Sequence, residues 1–198
     1  MEIKPKLVKE LRDRTNAGMM DCKKALEKTG GDIDGAVKVL REKGLSSAAK
    51  RVGREAKEGA IFSYVHAGSK LGVILELNCE TDFVARTDDF QELGRNLAMQ
   101  IAAAAPLVVR REELDANIVK QEKEIFANQA KAAGKPEKVI DKIIEGKLEK
   151  FYSESCLLEQ KFIRDDKENV EDMVKSVIGK LGENIVVKRF ARFQLGEE

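Results

Sequence analysis

The chain has 198 residues, with 36 Lys and Arg against 35 Asp and Glu, eight Phe, two Tyr, one His and no Trp. That length suffices for a core in one or two domains without metals or disulfides. The near-zero net charge lacks the positive field of a protein that lives on phosphate backbones, so direct nucleic-acid binding is not expected. Cys22, Cys79 and Cys156 lie far apart, with no CxxC pair, and read as buried small apolar residues of a reducing compartment.

The opening MEIKPKLVKE alternates charged and apolar positions and lacks the apolar run of a signal peptide. No stretch approaches bilayer length, so no membrane association and a cytoplasmic location are expected. Leu7, Val8 and Leu11 form a helical stripe behind Pro5 that ends near Asn16 and Gly18. Met20, Ala25 and Leu26 carry a second helix to the Gly30-Gly31 break. Asp32 or Asp34 can cap a third, through Ile33, Ala36, Val37 and Leu40, with Gly44 placed to stop it. The predicted organisation is a three-helix domain over 1–45 resembling small ubiquitin-binding bundles in shape alone, then a partly helical linker over 46–59, then a core over 60–198.

Ile61 to His66 and Leu71 to Asn78 read as two strands of a hairpin, because a four-residue gap separates them and Leu71, Val73, Leu75 and Leu77 share one face. Phe90, Leu93, Leu97, Ile101 and Ala104 recur at helical spacing, so a helix capped by Asp88 or Asp89 should cover the sheet. Residues 112–150 predict a helical hairpin that reverses at Gly134-Lys135-Pro136, lined by Leu114, Ile118, Ile125 and Phe126 on one arm and Val139, Ile140, Ile143, Ile144 and Leu148 on the other. Its apolar edge suits its own core or a second subunit equally. A helix over Val170 to Leu181 and a strand over Ile185 to Phe193 complete an α+β fold with a small antiparallel sheet.

No GxxxxGK[ST] loop, helix-opening GxGxxG, HExxH or GxSxG is present, so nucleotide, metal and hydrolase chemistry are not expected, and neither is a cofactor. His66 reads as a solvated turn residue. Met19 and Met20 suit an adaptable contact surface but are more commonly packing residues. The basic residues Lys50, Arg51 and Arg54 read as a solvated linker, with an RNA-binding scaffold as the competing reading. Thr81, Asp82, Phe83 and Val84 follow the most strand-like segment, and two readings stand for them: an Asx-type turn with the phenyl folded back, or a tip that probes a partner.

LVKELRDRTNAGMMDCKKAL, LELNCETDFVAR and GENIVVKRFARF, in that order and with the helical hairpin between the second and third, resemble the bacterial elongation factor Ts family over nearly the whole chain. The resemblance implies a non-enzymatic guanine nucleotide exchange factor for elongation factor Tu. It implies that Thr81, Asp82, Phe83 and Val84 intrude into that GTPase and help dislodge its magnesium ion, and that Met19, Met20, Lys23 and His66 contact it. Long members of the family carry two related core subdomains where this chain has one. Its likeness to short members therefore implies a homodimer.

Overall fold

The computed structural model describes residues 3–15 and 17–197, so the helix stop expected near Asn16 lies outside the described residues. In chain order the elements are α1 (Pro5–Thr15), α2 (Met19–Lys28), α3 (Ile33–Ala49), β1 (Glu58–Val65), β2 (Leu71–Cys79), α4 (Asp82–Ala85) and α5 (Asp88–Ala104). They continue with α6 (Ala116–Ala132), α7 (Glu137–Ser155), β3 (Lys161–Phe162), β4 (Asp165–Asn169), α8 (Val170–Leu181) and β5 (Ile185–Gln194). The fold is α+β, with a three-stranded antiparallel sheet in the order β1-β2-β5. The chain divides into two compact units, one of residues 1–59, 78–93 and 172–186, the other of 60–77, 94–171 and 187–198.

In the first unit, α1 begins on Pro5, whose missing N–H would be unpaired there anyway. Val8, Leu11, Cys22, Ala25, Leu26 and Ala36 form the core of the amino-terminal bundle, each buried side chain contributing about 1 to 3 kcal/mol. Gly31 accepts the positive φ that turns the chain from α2 to α3, and the Asp32 carboxylate accepts the N–H groups of Asp34 and Gly35 as the cap. Gly44 does not stop α3, which runs on to Ala49. The close approach at this point belongs to Gly179 of α8, where a Cβ would lie 2.8 Å from the Gly44 Cα, while a Cβ on Gly44 itself would meet nothing within 4 Å. Arg51 and Arg54 are likewise not simply solvated. Arg51 donates to the Gly182 carbonyl (2.7 Å) and to Ser47, and Arg54 faces Glu80 at 3.6 Å. Thr87, whose hydroxyl accepts the Phe90 N–H, caps α5 in place of Asp88 or Asp89.

In the second unit, Val73, Leu75 and Leu77 of β2 turn inward with Phe62 of β1 and Val187 of β5. Leu97, Ala98 and Ile101 of α5 are buried, and Gly94 lets the Phe62 ring lie on the helix backbone, since a Cβ there would meet ring atoms at 2.2 to 2.4 Å. Gln100 is buried yet satisfied: it donates to Gln160 and to the Lys161 carbonyl and accepts the Ile163 N–H. The α6–α7 hairpin reverses where expected, with Gly134 at positive φ and the Lys135 and Gly134 N–H groups returning to the Ala130 and Lys131 carbonyls. Ile118, Ile125 and Val139, expected to line its apolar seam, are exposed, while Ile140 and Leu148 are buried. Leu114 is buried ahead of α6. Arg111 grips the end of the hairpin through Glu159 (2.7 Å) and Glu149 (3.1 Å) and lies over the Tyr152 ring. The β3–β4 pair has no counterpart in the sequence reading, because DDKEN carries no apolar alternation.

Candidate functional site

The tip begins where β2 ends. Thr81 leaves the strand in extended conformation and its hydroxyl accepts the Val84 N–H (3.4 Å), which caps the single turn of α4. The carbonyls at the far end of the turn are also occupied. Thr87 donates its N–H (3.0 Å) and its hydroxyl (2.8 Å) to Val84, and Gln91 Nε2 donates to Ala85 (2.8 Å).

A clamp from the segment before β5 holds this turn. The Glu183 carboxylate accepts both the Thr81 N–H (2.9 Å) and the Thr81 hydroxyl (2.7 Å). In the opposite sense, the Glu80 carboxylate accepts the Asn184 N–H (2.6 Å), and the buried Asn184 side chain donates to the Arg54 carbonyl (2.7 Å). Cys79 closes the arrangement by donating its thiol to the Thr81 carbonyl (3.1 Å). Burial first, and the Glu183 charge second, push that thiol up to about 11, so it stays protonated and unreactive. All three cysteines are buried and free, as the sequence suggested.

Within this frame the four tip side chains have different fates. Val84 is 9% exposed and anchors the turn with Ala85, while Phe83 is 78% exposed. The phenyl is not folded back on the core. Asp82 forms an i,i+4 ion pair with Arg86 at 2.7 Å, so its carboxylate is oriented while still partly open to solvent. An uncovered ring beside an oriented carboxylate, on a turn whose backbone groups are satisfied, can enter a partner's cleft without first having to fold.

Met19 and Met20 open α2 in the same unit and are 52% and 61% exposed. The packing role favoured from sequence fails because Cys22, Ala25 and Leu26 already fill the inner face of that helix. Lys23 is exposed and lies 3.9 Å from Glu27. His66 belongs to the second unit, just past β1, where it is exposed with Nδ1 2.9 Å from the Tyr64 hydroxyl. The sequence reading gives Glu183 and Asn184 no site role, and Arg54 only that of a linker residue with RNA contact as the alternative. Nothing in their spacing signals the clamp, since 102 to 130 residues separate the two halves of each pair. Among the described residues no group of His, Cys, Asp and Glu could hold a metal ion, and no helix is long and apolar enough to cross a membrane.

A mixed helix and strand protein with a rigid, uncovered tip is suited to binding another macromolecule, and comparison with known proteins places it among the translation elongation factors. The family profile described as "Elongation factor TS" matches residues 5–197. The chain is 60% identical over 197 residues to elongation factor Ts of Fervidobacterium nodosum, covering 100% of both chains. It is 59% identical over 195 residues to that of Thermosipho melanesiensis, covering 98% of this chain and 100% of the relative. With that of Anaeromyxobacter sp. (strain K) the identity is 58% over 196 residues, 99% of this chain and 90% of the relative. The chain belongs to the elongation factor Ts family.

Proposed function

We propose that this chain is a guanine nucleotide exchange factor that binds elongation factor Tu with GDP, disturbs its magnesium and phosphate site through Thr81, Asp82, Phe83 and Val84, and promotes GDP release during elongation. It acts in the cytoplasm and catalyses no covalent step. A GTPase holds GDP through phosphate-cradling backbone amides and a magnesium ion that demands strict octahedral geometry, so small displacements of either weaken nucleotide binding. Phe83 wedges a cleft of the partner, Asp82 rearranges hydrogen bonds near the metal, and Val84 serves as the buried foot of the wedge. Met19, Met20 and Lys23, in the amino-terminal domain over 1–45, supply the grip, and His66 adds a contact from the β1 end. A coupling of about 4 kcal/mol between factor and nucleotide would weaken each partner's binding about a thousandfold in the presence of the other, so incoming GTP expels the factor by the same amount.

The observation that carries this reading is the 78% exposure of Phe83 on a turn whose backbone is clamped, in a chain of this family. Fluorescent GDP release from elongation factor Tu tests it. The wild-type chain accelerates release, and Asp82→Ala combined with Phe83→Ala largely abolishes the effect; release undiminished in the double variant overturns the mechanism.

The active form in this reading is a homodimer, each GTPase being gripped by two cores. Ile61, Val65 and Ile74 support it, because these large apolar side chains are exposed on strands whose alternate residues Phe62, Val73 and Leu75 are buried. Solution mass by light scattering should give twice the chain mass, and Ile74→Lys should reduce it; a monomer at micromolar concentration refutes the dimer.

A further inference from the structure

We infer that Glu183 is a positioning residue for nucleotide exchange: by accepting both the N–H and the hydroxyl of Thr81, its carboxylate fixes the direction in which the tip presents Asp82 and Phe83. The inference rests on the exchange reading above, and names a residue outside the tip that controls it.

A threonine hydroxyl has one proton to give and lone pairs with which to accept. Thr81 gives its proton to Glu183 Oε1 at 2.7 Å, which leaves the oxygen free to accept the Val84 N–H and cap the turn. The second carboxylate oxygen takes the Thr81 N–H at 2.9 Å, so the strand end and the cap rotamer are fixed by one planar group. The Glu80 to Asn184 bond runs in the opposite sense one residue away and prevents sliding, but it does not touch the Thr81 side chain. The Glu183 carboxylate is engaged with Thr81, while the Asp82 carboxylate is paired with Arg86. It therefore acts through Thr81, on geometry. Met19, Met20 and Lys23 sit on α2, whose inward face has its own core, so the grip on the partner is independent of this clamp.

The test measures GDP release from elongation factor Tu across a range of factor concentrations, which separates the maximal rate from the half-saturating concentration. Glu183→Ala should lower the maximal rate about tenfold, as expected for loss of a hydrogen bond to a charged group, with the half-saturating concentration little changed. Glu183→Gln keeps one acceptor oxygen and should recover most of the rate. Thr81→Val should match Glu183→Ala, and the two together should be no worse than either alone. If Glu183→Ala fails to fold, as judged by thermal melting, Thr81→Val alone carries the test, since it should lower the maximal rate about tenfold with the half-saturating concentration little changed. A wild-type maximal rate in Glu183→Ala or in Thr81→Val, a loss confined to the half-saturating concentration, or additive losses would each overturn the inference. Phe83→Ala is run alongside. Full exchange by that variant defeats the exchange reading itself, whereas its loss with intact Glu183 variants defeats only the positioning role.

Discussion

Phe83→Ala removes a ring that is 78% exposed, so folding should change by less than about 0.5 kcal/mol. Docking is another matter. Full burial of a Phe side chain is worth about 1.5 to 3 kcal/mol, and with most of this ring's surface still uncovered the variant should forgo about 2 kcal/mol on entering a partner cleft. That is about a thirtyfold loss of exchange efficiency. Val84→Ala should behave in the opposite way. Its side chain is 9% exposed, and deletion of its two methyl groups should cost about 1 to 2 kcal/mol of stability. Urea unfolding followed by circular dichroism, with fluorescent GDP release on the same preparations, reads both quantities. A Phe83→Ala variant more than about 1 kcal/mol less stable than the parent would mean the ring packs on its own chain. Unaltered exchange would mean the ring meets no partner, and either result refutes the reasoning.

Two further perturbations probe the frame. Gly94→Ala should destabilise, because a Cβ 2.2 to 2.4 Å from the buried Phe62 ring brings about 1 to 3 kcal/mol of overpacking against about 1 kcal/mol of helix propensity. Gly44→Ala has no atom within 4 Å of its Cβ and should instead stabilise α3 by about 0.5 to 1 kcal/mol; urea midpoints moving in the same direction for both would contradict the packing argument. Burial raises the thiols of Cys79 and Cys156 from 9.0 to about 11. Their contribution is therefore intact below pH 9 and is lost as pH rises towards 11, since the unfolded chain gives up these protons first. Stability measured over that window should fall less steeply in a Cys79→Ala, Cys156→Ala variant, and an equal slope would remove the thiols from the account.

What the sequence discloses here follows the range of the forces involved. The period-two run through Leu71, Val73, Leu75 and Leu77 and the Gly134 reversal are local patterns, and both elements form where those patterns place them. Gly44 misleads because a glycine is tolerated inside a helix as well as just past its end, and the glycine whose missing Cβ lets the two backbones meet is Gly179 of α8. β3 is two residues long and β4 is wholly polar, so the pair, held by backbone pairing, leaves no hydrophobic alternation to read. At the tip, the carboxylate and ring are legible as residues with little to do inside a core. Whether Phe83 turns outward depends on Val84 taking the inward position and on Glu183 holding Thr81, the latter a contact that closes across a hundred residues of chain.

That long-range closure bears on how a four-residue turn would act in the proposed exchange. Ordering a free backbone costs about 1 to 2 kcal/mol per residue, so a mobile Thr81 to Val84 segment would spend more than the roughly 2 kcal/mol its ring gains on docking. With the turn capped by Thr81, its carbonyls taken up by Thr87 and Gln91, and its base held by Glu183 and Asn184, most of that ordering is completed during folding. In the proposed exchange, the ring's burial is then available to displace something in the partner. GENI and ETDF, a hundred residues apart in the chain, are on this account two parts of one rigid mount, and the exchange rate should follow the integrity of the mount as closely as it follows the ring.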